Sequence, residues 1–206
     1  MTLAAPWALW APQGVTAQAE RRLDDSGPLT YFIAEASPES GAMESDRTLA
    51  RWALEAWARL VDPPVRLAAG AEERATLRVY WVGSAGGLYG EMRERLLDGR
   101  PAADVFVHPR TEGLGEDIDA VARRDPLFRD TIVYLTCVHE LGHAFGLRHT
   151  SAFADIMYSF QYGGDFVVYF MRFREQLRRR DDIPGARPFS EGDVREFRSL
   201  YTQPGL

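Results

Sequence analysis

The chain has 206 residues and a formal charge of −6, with 46% hydrophobic and 26% charged side chains, the profile of an ordinary globular protein of one domain plus a small appendage at most. A single cysteine, Cys137, excludes an internal disulfide framework. The acidic balance argues against a nucleic-acid binder, and no run of 18 apolar residues is present to predict a transmembrane span. All 24 basic residues are Arg and Asn is absent, a pattern that coding bias explains and that carries no function.

Residues 1–28 read as a lead-in. Positions 2–12 are apolar and Ala17-Gln18-Ala19 looks like a small-residue cleavage site, but no basic residue precedes the run and Pro6 and Pro12 interrupt it. An atypical or clipped signal segment and a loose extension fit equally well. Residues 29–34 are β-rich and predict a first strand. Leu49, Trp52, Ala53, Ala56, Trp57, Leu60 and Val61 then recur at helical spacing, with Ser45 as N-cap and Pro63 as stop.

Residues 65–69 and 75–82 read as two further strands, followed by a loop with glycines at 83, 86 and 87. Residues 88–97 and 103–108 flank Asp98-Gly99, a hairpin signal, although 91–97 are also good helix formers. Residues 110–125 are polar, with Glu116, Asp117 and Asp119 close together. Ca2+ is a candidate ligand for such oxygens, but without EF-hand spacing a solvated acidic loop fits better. His108, before Pro109, is expected at the surface. A helix apolar on nearly every side runs from Pro126 or Asp130 to Phe145 and stops at Gly146, and a last helix over 191–201 opens at Ser190.

The buried helix leads into His139-Glu140-Leu141-Gly142-His143-Ala144-Phe145-Gly146-Leu147-Arg148-His149, which holds three of the four histidines in the chain. His139 and His143 are one turn apart and project from the same face, as two nitrogens on one tetrahedral zinc must. Glu140 is rotated about 100° from His139, poorly placed as a third ligand but able to reach a metal-bound water. Gly146 lets the chain leave the helix through a conformation costly for other residues and swings His149 towards the same ion. Three imidazoles leave one position open for water, the mark of a catalytic zinc rather than a structural one. Cys137 faces away from that site and reads as a core thiol.

With these residues the chain resembles the metzincin zinc peptidases, and among them the matrixins. Asp155-Ile156-Met157-Tyr158 stands where the family has its Met-turn, with Met157 beneath the zinc. Residues 189–201 look like the matrixin C-terminal helix. The resemblance covers roughly residues 29–206 and implies an α/β (α+β) fold: a twisted mixed five-stranded sheet with two long helices in an upper subdomain (29–146), and a small lower subdomain (147–206) holding the Met-turn and last helix. It implies one catalytic Zn2+ on His139, His143 and His149, Glu140 as general base, and hydrolysis of an extended peptide or protein substrate lying along the edge strand 88–97. It also favours a secreted location.

Several departures from the family are visible. No cysteine precedes Cys137, so a cysteine-switch pro-segment is excluded within this sequence. With only His108 to spare, the second, three-histidine structural zinc of animal matrixins cannot be built. Ser159 replaces the usual Pro after the Met-turn and also stands where astacins carry a zinc-touching Tyr. Residues 163–182 are longer than the matrixin connection. There Phe166, Phe170, Phe173 and Leu177 lie at helical spacing among Arg172, Arg174, Arg178, Arg179 and Arg180, a core-packed helix with a solvated basic side. Two alternatives stay open: a catalytically silent zinc-containing binding module, and a membrane-associating protein acting through the Arg-rich 166–180 segment.

Overall fold

The computed structural model describes residues 22–83 and 89–202. The signal-like segment 2–19 and the glycines at 86 and 87 lie outside them. In chain order the elements are β1 (Leu29–Ile33), α1 (Asp46–Ala58), β2 (Leu67–Ala69), β3 (Leu77–Trp81), β4 (Gly90–Leu97), β5 (Arg100–Val107), α2 (Glu116–Arg124), α3 (Pro126–Ala144), α4 (Phe166–Arg174) and α5 (Glu191–Tyr201), with short 3-10 turns between.

Five strands form one mixed sheet in the order β2-β1-β3-β5-β4, with β4 the antiparallel edge strand. The β4–β5 hairpin turns at Asp98-Gly99, both with positive φ, 51° and 78°, the mirror-image turn that matches strand twist. This resolves residues 91–97 as strand rather than helix. In β3 the residues alternate, Leu77, Val79 and Trp81 inward and Arg78 and Tyr80 outward, so one face of the sheet meets the core. That core lies between the sheet and α1 with α3. The Trp57 indole N–H of α1 donates to the Val138 carbonyl of α3 at 2.8 Å, and the buried Asp46 carboxylate accepts both guanidinium nitrogens of Arg129.

Helix α3 opens at Pro126, the earlier of the two starts the sequence allows. Asp125 caps the Leu127 and Phe128 N–H groups, and Pro126 takes the first turn, where no donor is needed. Ser45 stands at the α1 N-cap position but makes no side-chain cap; Asp46 instead accepts the Met43 N–H at 2.9 Å. Leu23 is buried in the core and its N–H meets the Tyr201 hydroxyl at 3.3 Å, so packed chain begins before β1.

Three expectations are corrected. Residues 116–124, expected as a loop, form α2. Ile118 and Ala122 give it a buried stripe, and Glu116, Asp117 and Asp119 at its start and Arg123 and Arg124 at its end oppose the helix dipole. His108 is buried rather than on the surface. Its ring stacks on Tyr89 with centroids 6.0 Å apart and Nδ1 accepts the Arg110 N–H at 3.2 Å. The arginines of 166–180 do not form one solvated basic face. Arg172 lies 4.1 Å over the Tyr169 ring, Arg174 pairs with Asp125 at 2.8 Å, and Arg180 donates to the Ser45 carbonyl at 2.7 Å. That leaves Arg178 and Arg179 as the exposed pair, while Phe170, Phe173 and Leu177 are buried as expected of a segment packed on the core.

Candidate metal centre

The centre is built from the end of α3 and the turns that follow it. His139 and His143 leave the same helix face because they are four residues apart. The helix ends in a Schellman closure: Gly146 at φ +100° lets its N–H reach the His143 carbonyl, and the Leu147 N–H reach the Gly142 carbonyl, both at 2.9 Å. A residue with a Cβ would be strained at Gly146, and the reversal it permits returns His149 to the two helical histidines. The His149 Nε2 lies 3.1 Å from the Nε2 of His139 and 3.1 Å from that of His143.

The donor set fits zinc. His139 Nδ1 is 2.7 Å from the Ile156 carbonyl and His143 Nδ1 is 3.0 Å from the Leu147 carbonyl. A carbonyl only accepts, so both rings hold their proton on Nδ1 and turn an Nε2 lone pair inward. Lone pairs converging at that spacing repel unless a cation sits among them. Zinc–nitrogen bonds of about 2.0–2.1 Å at tetrahedral angles put ligand nitrogens about 3.3–3.4 Å apart, close to what is seen. Burial first, and neighbouring imidazoles second, hold His139 well below the ordinary histidine range and His149 down to about 4; burial also lowers His143. Neutral imidazoles are the form that ligates a metal. The three histidines grade from buried to exposed, so the centre opens to solvent on the His149 side.

Glu140 is buried, and its carboxyl is pushed up to about 8 by that burial, with the nearby Glu91 charge adding to it. Its side chain lies against the bare backbone of Gly90 on β4, where an added Cβ would come within 2.6 Å of Oε1. The acid is therefore wedged between the histidine helix and the edge strand. Met157 is fully buried, and its sulfur lies where a Cβ at Gly142 would be, beside the Trp57 ring. The chain around it is pinned by backbone bonds: Thr150 N–H to the Met157 carbonyl at 2.8 Å and Ser159 N–H to the Thr150 carbonyl at 3.0 Å.

The three motif histidines thus come together, Glu140 lies on the same helix with its side chain against β4, and Met157 packs against that helix. Cys137 is buried in the core. Among the described residues the three histidines are the group able to hold a metal. The acidic run does not gather into a calcium cage: Asp119 accepts from Thr111 at 2.7 Å and pairs with Arg123 at 2.7 Å.

Two supports of the site had no reading in the sequence beyond the general pattern. The Asp193 carboxylate, 1% exposed, accepts the N–H groups of Ile156 at 2.9 Å, Met157 at 3.3 Å and Ser190 at 2.8 Å. Its signal was the spacing Ser190-x-x-Asp193, a capping box that also serves a neighbouring turn. The second is Tyr169, whose hydroxyl lies 3.1 Å from the Asp155 and Ile156 carbonyls. No sequence pattern announces it.

Comparison with known proteins agrees with this geometry. The sequence profile of the matrixin family matches residues 22–167, from the first core position through the whole histidine cluster and Met157. The interstitial collagenase of Sus scrofa is 28% identical over 161 residues, covering 76% of this chain and 30% of the collagenase. The chain therefore corresponds to less than a third of that relative. With most of its length matched by the family profile, this chain belongs to the matrixin family.

Proposed function

We propose that the chain is a zinc-dependent endopeptidase, with His139, His143 and His149 as the metal ligands, Glu140 as general base and Met157 as the Met-turn methionine. The observation that carries this reading is the convergence of three imidazole Nε2 atoms, two of them on the helix that also carries the buried Glu140. A zinc ion held there supplies a water of lowered pKa and polarises the scissile carbonyl. Glu140 would serve as the proton acceptor and donor of the reaction, taking a proton from water and passing it to the departing amine, so one carboxyl group would serve both halves of the hydrolysis.

Substrate binding follows from the sheet. β4 is the outer strand, so its free backbone edge can pair with an extended peptide. Glu140 leans on Gly90 at the start of that strand, which sets the base beside the edge where a peptide bond would lie. One catalytic zinc per chain and an extracellular place of action belong to the same reading. No helix among the described residues is long and apolar enough to cross a membrane.

Digestion of a mixed peptide library tests this. Cleavage is expected from the purified chain, lost on chelation and restored by zinc. Cleavage that survives full zinc removal would contradict it, and so would zinc binding without any turnover, the behaviour of a silent binding module.

A further inference from the structure

Residues 155–157 are gripped from two sides. Asp193 on α5 takes the N–H groups of Ile156 and Met157. α4 takes the carbonyls: the Tyr169 hydroxyl lies 3.1 Å from both the Asp155 and Ile156 oxygens, and Arg172 donates to the Phe153 carbonyl and, at 3.3 Å, to the Asp155 carbonyl. The Ile156 carbonyl is also the oxygen that holds His139 Nδ1 at 2.7 Å. Tyr169 itself is 3% exposed, with its ring between the Arg172 guanidinium, 4.1 Å from the centroid, and the rings of Phe160 and Phe153. Tyr169 lies past residue 167, where the match to the matrixin profile ends.

We infer that Tyr169 is a positioning residue of the metal centre, acting through the Ile156 carbonyl on the orientation and basicity of His139. The inference rests on the zinc-centre reading above. A tyrosine hydroxyl has one proton to give. Since Arg172 already serves the Asp155 carbonyl, the Tyr169 proton is available to Ile156. That oxygen then has two donors, His139 Nδ1 and the Tyr169 hydroxyl, and its direction is fixed by both. Fixing the acceptor fixes the imidazole that donates to it, and with it the aim of Nε2. Partners one step behind a metal ligand commonly change affinity by about 10–100-fold when removed. Tyr169 stands one bond further out, so the low end applies. Buried Tyr169 thus makes α4 part of the metal site.

Tyr169→Phe removes the hydroxyl and keeps the ring between Arg172 and its aromatic neighbours; Tyr169→Leu removes both. Zinc affinity is read in the full-length chain by competition with a chromophoric chelator, alongside the Tm of the metal-free protein and the visible spectrum of the cobalt-substituted form. The expected result is a zinc Kd about 10-fold weaker in Tyr169→Phe and no tighter in Tyr169→Leu, a shifted cobalt spectrum in both, and a metal-free Tm that falls substantially only in Tyr169→Leu. If Tyr169→Phe keeps the wild-type Kd and spectrum, or differs from wild type only in Tm, Tyr169 is packing and the inference is overturned alone. A wild-type chain that holds no zinc would remove the metal-centre reading and this inference with it.

Discussion

The two halves of the metal centre are held by different physics. His139, Glu140 and His143 ride on a regular helix whose position is set by apolar packing: Trp57, Phe145 and Phe197 crowd around it, and the sheet closes the other side. His149 and Met157 sit in irregular chain, where order comes from side chains that satisfy backbone groups: Asp193 on N–H groups, Tyr169 and Arg172 on carbonyls, Thr150 across to Met157. A helix supplies its own hydrogen bonds and asks only for a covered apolar face. A buried turn must import each partner, because an unpaired buried donor costs about 1–3 kcal/mol. The helical half should therefore fail through chemistry or volume, and the turn half through lost polar partners.

The largest effect expected is chemical and falls on the helix. Glu140→Gln keeps the shape of the side chain but cannot accept a proton at neutral pH, so kcat should drop about 10²–10⁴-fold while zinc stays bound. Steady-state kinetics with zinc analysis on the same sample checks both parts. Next comes the turn. Asp193→Ala strands three N–H groups in a site that is 1% exposed, a loss of about 3 kcal/mol. For a chain of this size that is about a 10 °C fall in Tm by thermal denaturation, with weaker zinc binding alongside. An unchanged Tm would show that the turn does not depend on Asp193.

Volume changes between the halves sharpen the contrast. Gly142→Ala drives a methyl into the Met157 sulfur and the Trp57 ring, and overpacking of this kind costs about 1–3 kcal/mol. Met157→Leu conserves volume in the same place and should cost less than about 1.5 kcal/mol, with zinc retained and much of the activity surviving. Denaturant titration of both variants ranks them. If Met157→Leu proved the more damaging, Met157 would be doing more than filling space.

The same division explains what could be read from the sequence. The histidine spacing, the glycine that ends the helix, the apolar run of α3 and the Asp-Gly hairpin are local patterns, and each is found where its spacing puts it. α2 was hidden because a short helix with one buried stripe looks, residue by residue, like a polar loop, and its acidic start reads as easily as a cation loop. The burial of His108 at its strand end depends on Tyr89, which reaches it across the hairpin, and on the turn back at Arg110 just beyond the strand, neither of which a strand pattern shows. Asp193 and Tyr169 lie 37 and 13 residues from Ile156. A bond from a distant side chain to a backbone group leaves no periodicity, since the backbone is the same at every position.

Zinc stoichiometry measured by elemental analysis, on the wild-type chain and on His143→Ala, tests the central claim most directly. One tightly held zinc per wild-type chain, and little or none once a single imidazole is gone, is the result required of three converging nitrogens. Two tightly held ions per chain, or undiminished zinc in His143→Ala, would place the metal elsewhere and contradict the account.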